Sequence, residues 1–359
     1  MEKNKIKVLY IFANERKKME EEWKKGLMPD TYFIGYNYMS EFGIKAEYIE
    51  NKFINYLRNK NYNFANLLLL LKIKKYDIVF TGTALPLIFL VKVIFRFKKP
   101  IIVFYNTFLT NLLKRNKRGL KKWLVLKIIK AMDVIVCPSM SQVDFLEKQG
   151  FSRDKLHYIL TGVDVDFISN YQVPEVKEKF ILSVGKDNGR DYKTLIEAVK
   201  NLDINVKIVA LPRNFKGINK DSLPKNIEIE HLPFIKLLEY YKNALIIIVP
   251  TKSEKNLDAS DCSGHYAILD AMAAGKAIIA SKRDTIYDLL EDNKEAILVE
   301  AENALELKRA IEKLIADKNL AENLGKNALE KVKNKFTTKQ MAENLANIFK
   351  NILYLNKDQ

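Results

Sequence analysis

The feature that most restricts this chain is a rhythm. Short apolar runs rich in Val and Ile recur along it, separated by longer amphipathic stretches. In the first half the runs are KVLYIFA, YDIVFTG, KPIIVFYN and DVIVCPS; in the second they are FILSVG, NVKIVAL, NIEIEHL, LIIIVPT, KAIIAS and AILVE. Strands that are apolar on both faces are buried on both faces. Their alternation with helical patterns such as TLIEAVKNL and ALELKRAIEKLIA calls for parallel, doubly wound α/β sheets. At 359 residues the chain exceeds one ordinary core and suits two domains of about 150 residues each. The expected organisation is a first domain over residues 1–172 and a second over residues 173–340, joined near NYQVPEVKEKF. A last amphipathic helix over 341–359 is expected to pack back on the first domain.

Several classes are disfavoured at once. Cys137 and Cys262 lie far apart and offer no disulfide framework, which fits a reducing cytoplasm. Three histidines without a CxxC or HExxH pattern make a dedicated metal cage improbable. The longest apolar stretch, ALPLIFLVKVIF, is too short to cross a bilayer, and the amino terminus enters a strand-like run without a signal-peptide pattern. A cytoplasmic protein, peripheral at most on the inner face of the cell membrane, is the expectation.

In an open α/β sheet, ligands gather at the carboxyl ends of strands, where loops lead into helices. After FILSVG the chain continues KDNGRDYKTLIEA, setting Lys186 and Arg190 around a Gly-containing turn. Two cations at a helix start suit a diphosphate, though both also read as solvated surface charges. After LIIIVPT and a polar loop, Ser263 and Gly264 open a helix that Gly275 closes. Its amides carry the positive end of a dipole, a second anion receptor. Asp270 lies some 10 Å from that phosphate end, within reach of a ribose whose two hydroxyls a carboxylate can accept. An acid on the wet side of a half-buried helix would look the same.

These loops, in this order, resemble the retaining glycosyltransferases of family four. The resemblance rests on MDVIVCPSMSQVDFLEKQGFSRDKLHYILTGVDVDFI, on FILSVGK…RDYKTLIEAV, and above all on SGHYAILDAMAAGKAIIAS…DLLEDNKEAILVEAENALELKRAIEKLI. It implies the GT-B fold, two Rossmann-like doubly wound domains facing a cleft, with a nucleotide diphosphate sugar as donor. Lys186 and Arg190 take the places of the family's diphosphate-binding cations and act on the leaving group. Ser263, Gly264 and His265 take the place of its phosphate loop. Asp270 takes that of the second acid of the E-x7-E motif, which holds the ribose.

Three departures accompany the likeness. Cys262 stands where the first acid of that motif belongs. The Gly-rich loop expected after the first strand is absent. Asn106, in FYNTF, replaces a histidine common there; it can hydrogen-bond a sugar hydroxyl but cannot take up a proton. The resemblance implies transfer to a hydroxyl acceptor, a lipid-linked or cell-surface glycan, with no cofactor and no bound metal required. The alternatives are a sugar-nucleotide epimerase and a non-catalytic sugar-nucleotide-binding or membrane-docking subunit.

The formal net charge of +16 is concentrated in the first half. Residues 1–170 carry 30 basic and 16 acidic side chains, against 30 and 28 in the remainder. No acid occurs between Asp77 and Asp133, where twelve basic residues fall. In KRNKRGLKKWLVLKIIK, the residues Leu120, Trp123, Leu124 and Ile128 share one helical face. A basic amphipathic helix of this kind, within residues 112–132, suits an anionic membrane surface, or packs on the sheet with its lysines in water. No pattern of a nucleic-acid-binding module is present, so no nucleic acid is expected.

Overall fold

The computed structural model describes residues 5–50, 52–116, 118–219, 223–257 and 259–355. Two compact units emerge: Met1–Gly162 together with Thr338–Gln359, and Val163–Thr337. The division precedes the helix Val165–Asn170 rather than following it. The reason is local, because the Val163 amide donates to the Phe336 carbonyl at 2.8 Å and ties this segment to the end of the second unit.

The first unit is built on β1 (Ile6–Ile11), β2 (Ile44–Tyr48), β3 (Ile78–Thr81), β4 (Ile101–Tyr105), β5 (Val134–Cys137) and β6 (Leu156–Tyr158). They form one parallel sheet in the order β2-β1-β3-β4-β5-β6. Every residue of β3, β4 and β5 is buried, as expected of central parallel strands covered on both faces. Alternation splits their side chains between two cores. Leu9, Ile11, Val79, Ile102 and Phe104 enter one; Val8, Tyr10, Ile78, Phe80 and Val103 enter the other. The second core is closed by the helix Thr338–Leu355, through Met341, Ala342, Leu345, Ala346 and Phe349. The end of the chain thus completes the first unit.

The second unit holds β7 (Phe180–Val184), β8 (Asn205–Val209), β9 (Ile227–Glu230), β10 (Ile246–Val249), β11 (Ala277–Ser281) and β12 (Ile297–Val299). They too are parallel, in the order β12-β11-β10-β7-β8-β9. The chain runs outward from β7 through β8 and β9, then crosses back to β10 on the other side of β7. At such a reversal the crossover helices leave on opposite faces, and the carboxyl ends of the two central strands open a crevice. The helix His265–Ala273, which follows β10, is buried everywhere except at Tyr266. It is a core helix, apolar all round, with one acid in it.

Gly35 shows how closely the last helix is seated. Its φ of +76° is left-handed, and a Cβ there would lie 2.8 Å from Ala342 Cα. Gly35→Ala is expected to destabilise the first unit by about 2–4 kcal/mol, from backbone strain plus overpacking. Urea unfolding followed by circular dichroism checks it.

Candidate functional site

The crevice between β7 and β10 is assembled by the loop that follows each strand. After Val184 the chain turns through Gly185. A Cβ at Gly185 would sit 1.8 Å from Arg190 Nε, so the missing side chain is what makes room for the guanidinium. Asp187 Oδ1 accepts the Gly189 amide at 2.9 Å, an Asx turn. Asp191 then caps the helix Tyr192–Val199 by accepting the Thr194 amide at 3.1 Å. This loop is stitched to the one after β10 by two backbone bonds, Asp191 to the Pro250 carbonyl at 3.0 Å and Lys252 to the Gly189 carbonyl at 2.8 Å.

Arg190 is the centre of the arrangement. It is 6% exposed, its Nε lies 3.2 Å from Asp187 Oδ2, and its Nη1 is buried without an acceptor. Ser263 Oγ donates to Asp187 Oδ1 at 2.5 Å. Burial alone would raise the Asp187 carboxyl, but the Arg190 charge and the hydrogen bonds from Ser263 and Gly189 hold it below its ordinary value. Gly264 caps the buried helix with φ +97°, and a Cβ there would meet Arg190 Nη1 at 3.3 Å. Arg190, Ser263 and Gly264 are therefore brought together, with Asp187, which the sequence reading passed over, as the shared partner.

Two further polar groups in this crevice are buried and unsatisfied. Thr251 donates its amide to Ser281 Oγ at 3.0 Å, yet its Oγ1 has no partner. His265 is 2% exposed, and neither ring nitrogen makes a well-aimed hydrogen bond. Burial, and then the charges of Arg283 and Arg190, push its pKa down to about 3, so the ring is neutral. Arg283, also unforeseen, fastens the loop ahead of the helix. Its Nε reaches Glu254 at 3.1 Å and its Nη2 the Asp261 carbonyl at 3.4 Å.

Asp270 lies five positions past His265, about 7.5 Å along the helix axis. It is 7% exposed and has no hydrogen-bond or ion-pair partner among the described residues. Burial by itself raises its pKa to about 7. The acid lies almost wholly inside, on a helix buried at every other position but Tyr266, with no counter-charge beside it.

The remaining expectations fare differently. Lys186 stands on the exposed rim of the loop, and its carbonyl accepts Arg213 Nη2 at 2.9 Å; it is not packed into the crevice as Arg190 is. Asn106 is 0% exposed. Its Oδ1 accepts the Leu109 amide at 2.9 Å and its Nδ2 points at Cys137 Sγ, 3.7 Å away. That side chain fastens the turn after β4 from a fully buried position. Among the described residues no three His, Cys, Asp or Glu side chains gather as metal ligands.

The chain has known relatives. Residues 164–331 match the family model of the glycosyl transferases group 1, and residues 26–167 match that of glycosyltransferase family 4. The two matches together span most of the chain, which belongs to this glycosyltransferase family. An uncharacterized glycosyltransferase of Methanocaldococcus jannaschii is 27% identical over 205 residues, covering 55% of this chain and 54%, about half, of its own length. A second from the same organism is 27% identical over 293 residues, covering 76% of this chain and 73% of its own. The fold is GT-B. The crystal structure of HepE from Anabaena, in complex with UDP and glucose, superposes with a TM-score of 0.72 at 14% identity, over 96% of this chain and 100% of that one.

Gly185→Ala is expected to leave the fold intact and expel the Arg190 guanidinium from its seat. Donor affinity by titration calorimetry should fall by tenfold or more, while the melting temperature changes by a few degrees.

Proposed function

We propose that this protein transfers a sugar from a nucleotide diphosphate sugar to a hydroxyl acceptor with retention of anomeric configuration. The observation that carries the reading is a set of polar groups at one sheet reversal: Arg190 Nη1, Thr251 Oγ1 and the His265 ring, buried without a well-aimed hydrogen bond, and on the same helix the Asp270 carboxyl, 7% exposed and raised in pKa by burial. Groups of this kind each cost about 1–3 kcal/mol when left unsatisfied, so their clustering points to a ligand that satisfies them. Arg190 meets the diphosphate, and Lys186 adds a second cation from the rim. Because the Ser263 and His265 amides already donate to the carbonyls of Ser260 and Cys262, Gly264 is the residue at this helix start that approaches the phosphate. Asp270 accepts the two ribose hydroxyls. The complex of HepE with UDP and glucose makes uridine diphosphate sugars the first donors to try.

In the step we assign, the bond between the anomeric carbon and the diphosphate oxygen breaks as the acceptor oxygen bonds to that carbon on the same face. The acceptor proton passes to the departing phosphate oxygen. Arg190 and Lys186 stabilise the charge that develops there, which is the main catalytic contribution, and no metal is needed for it. Asp187 is committed to Arg190 and Ser263, and Asp270 to ribose, so neither acts as a nucleophile. The neutral His265 contributes a hydrogen bond rather than a proton. The acceptor we favour is a lipid-linked or cell-surface glycan.

Cys262, in place of the family's first acid, keeps a second reading in view, a sugar-nucleotide-binding subunit without turnover. Incubation with uridine, guanosine and adenosine diphosphate sugars, with and without chelator, separates the two. We expect nucleotide release undiminished by chelator, and an axial or equatorial product linkage matching the donor by proton NMR. Tight binding without release under every acceptor supports the second reading.

Asp270 gives a pH prediction. Its folded pKa lies above the unfolded value, so its ionisation costs stability as pH rises from about 4 to about 7, and the full penalty holds above that. Ribose binding favours the carboxylate, so affinity for UDP-glucose should rise over the same upper range and level off above pH 8. Asp270→Asn should remove that pH dependence, raise the ligand-free stability at pH 8 by roughly 1–4 kcal/mol, and weaken donor binding by about 1.5–3 kcal/mol. Unchanged calorimetric affinity contradicts the ribose role.

A further inference from the structure

The donor crevice uses the carboxyl ends of the strands in the second unit. Their amino ends enclose a different space, a cavity of about 650 Å³. It is lined by residues that lead into neighbouring strands: Lys179 before β7, Ile204 before β8, Leu245 before β10 and Lys276 before β11. Because all these strands are parallel, the four residues fall on one edge, opposite the edge that carries Arg190. The five residues of β11, at about 3.3 Å each, keep the two edges some 15 Å apart. The helices Ala304–Ala316 and Lys318–Lys335 meet over the cavity and add Leu314 and Ile315 to its wall. Gly325 fixes that cover. A Cβ on it would collide with the Gly275 carbonyl, so the second of these helices rests directly on the turn that presents Lys276.

The wall is apolar along Ile204, Leu245, Leu314 and Ile315, and Ile315 is left 37% exposed. The charge around it is uneven. Lys318 and Glu322 stand one turn apart on the same helix and offset each other there. Lys179 and Lys276 have no such balance, since neither side chain has an ion-pair or hydrogen-bond partner among the described residues. Asp203, at the rim, is exposed and pairs with neither. Lys276 is half-buried. Burial lowers its pKa, and the charges of Lys242 and Lys179 lower it further, with no acid acting against them. Lys242 gives its own proton to a neutral acceptor, the Ser169 carbonyl at 2.7 Å, and is itself pushed down by burial and by Lys333.

Three ammonium groups that repel one another, beside an open apolar wall, are stabilised together by an anion that the protein itself does not supply. A carboxylate brings one charge. A phosphate monoester brings nearly two at neutral pH and three acceptor oxygens, enough for Lys179 and Lys276 at once. Inorganic phosphate would leave the wall unused, whereas a cavity of about 300–1,000 Å³ suits a ligand with a body of its own. We propose that the amino edge of this sheet binds a small organic phosphate monoester, its phosphate between Lys179 and Lys276 and its apolar body against Ile204, Leu245, Leu314 and Ile315. This site is separate from the donor crevice and independent of the proposed transfer.

The test is titration calorimetry of the full chain at pH 7.5 with 1-naphthyl phosphate, inorganic phosphate and 1-naphthol. One site is expected for 1-naphthyl phosphate, with a Kd of about 1 mM or tighter, and clearly weaker binding of either fragment. Lys179→Met with Lys276→Met should weaken it about twentyfold, at about fivefold per charge contact near water. Ile315→Asp, at an exposed position, should weaken it as well by setting a carboxylate in the wall. Both variants should melt within a few degrees of the parent and keep its UDP affinity. Arg190→Ala should lose UDP and retain 1-naphthyl phosphate, so the two sites fail separately. No binding of 1-naphthyl phosphate, equal affinity for either fragment, binding that the lysine and Ile315 variants leave unchanged, or binding lost in Arg190→Ala overturns the proposal.

Discussion

The candidate site in the second unit depends on a guanidinium placed where a side chain is missing. Arg190 lies against Gly185 with its Nε facing Asp187, and through Asp187 it is linked to Ser263. This one contact joins the loop after β7 to the helix start after β10, across the point where strand order reverses. It also sets the electrostatics. Asp187 balances the buried charge, so the protein can hold it, yet the pairing leaves Nη1 buried without an acceptor. A buried Arg fully surrounded by carboxylates would be stable and inert. A buried Arg with no carboxylate at all would be costly to fold.

The same compromise recurs along the helix His265–Ala273. Burying it on every side makes it rigid, and rigidity is what fixes the spacing between its first turn and Asp270. The cost is a carboxyl raised in pKa by burial and a histidine kept neutral by burial and by the charges of Arg283 and Arg190. Strain of this sort is retained where a ligand relieves it. The site is preorganised by the core, not by the flexible loops that a diphosphate pocket on the surface would require.

How much of this was legible follows from what each pattern encodes. Buried parallel strands read directly, because runs such as FILSVG and LIIIVPT are apolar at every position. β2 did not, since IKAEY carries Lys45 and Glu47 in an edge strand where alternation with charge replaces the run. Arg190, Ser263, Gly264 and Asp270 were singled out by their positions after strands and in one helix. Asp187 was missed although D-N-G is an Asx-turn signal, because its role needs a hydroxyl 76 positions away in sequence. Thr251 and Arg283 follow β10 and β11 and acquire meaning only once those strands are adjacent. Asn106 and Ile128 show the converse limit. Residue type alone leaves open contact with a ligand or membrane and packing inside the protein, and both side chains are buried.

The central claim is that Arg190 and Asp270 hold the two ends of one donor, and a crystal structure with a non-hydrolysable uridine diphosphate sugar tests it most directly. The account predicts diphosphate oxygens within about 3 Å of Arg190 Nη1 and both ribose hydroxyls at that distance from the Asp270 carboxylate, in the same molecule. A donor bound elsewhere, or one that meets Arg190 while Asp270 stays turned into protein, contradicts it.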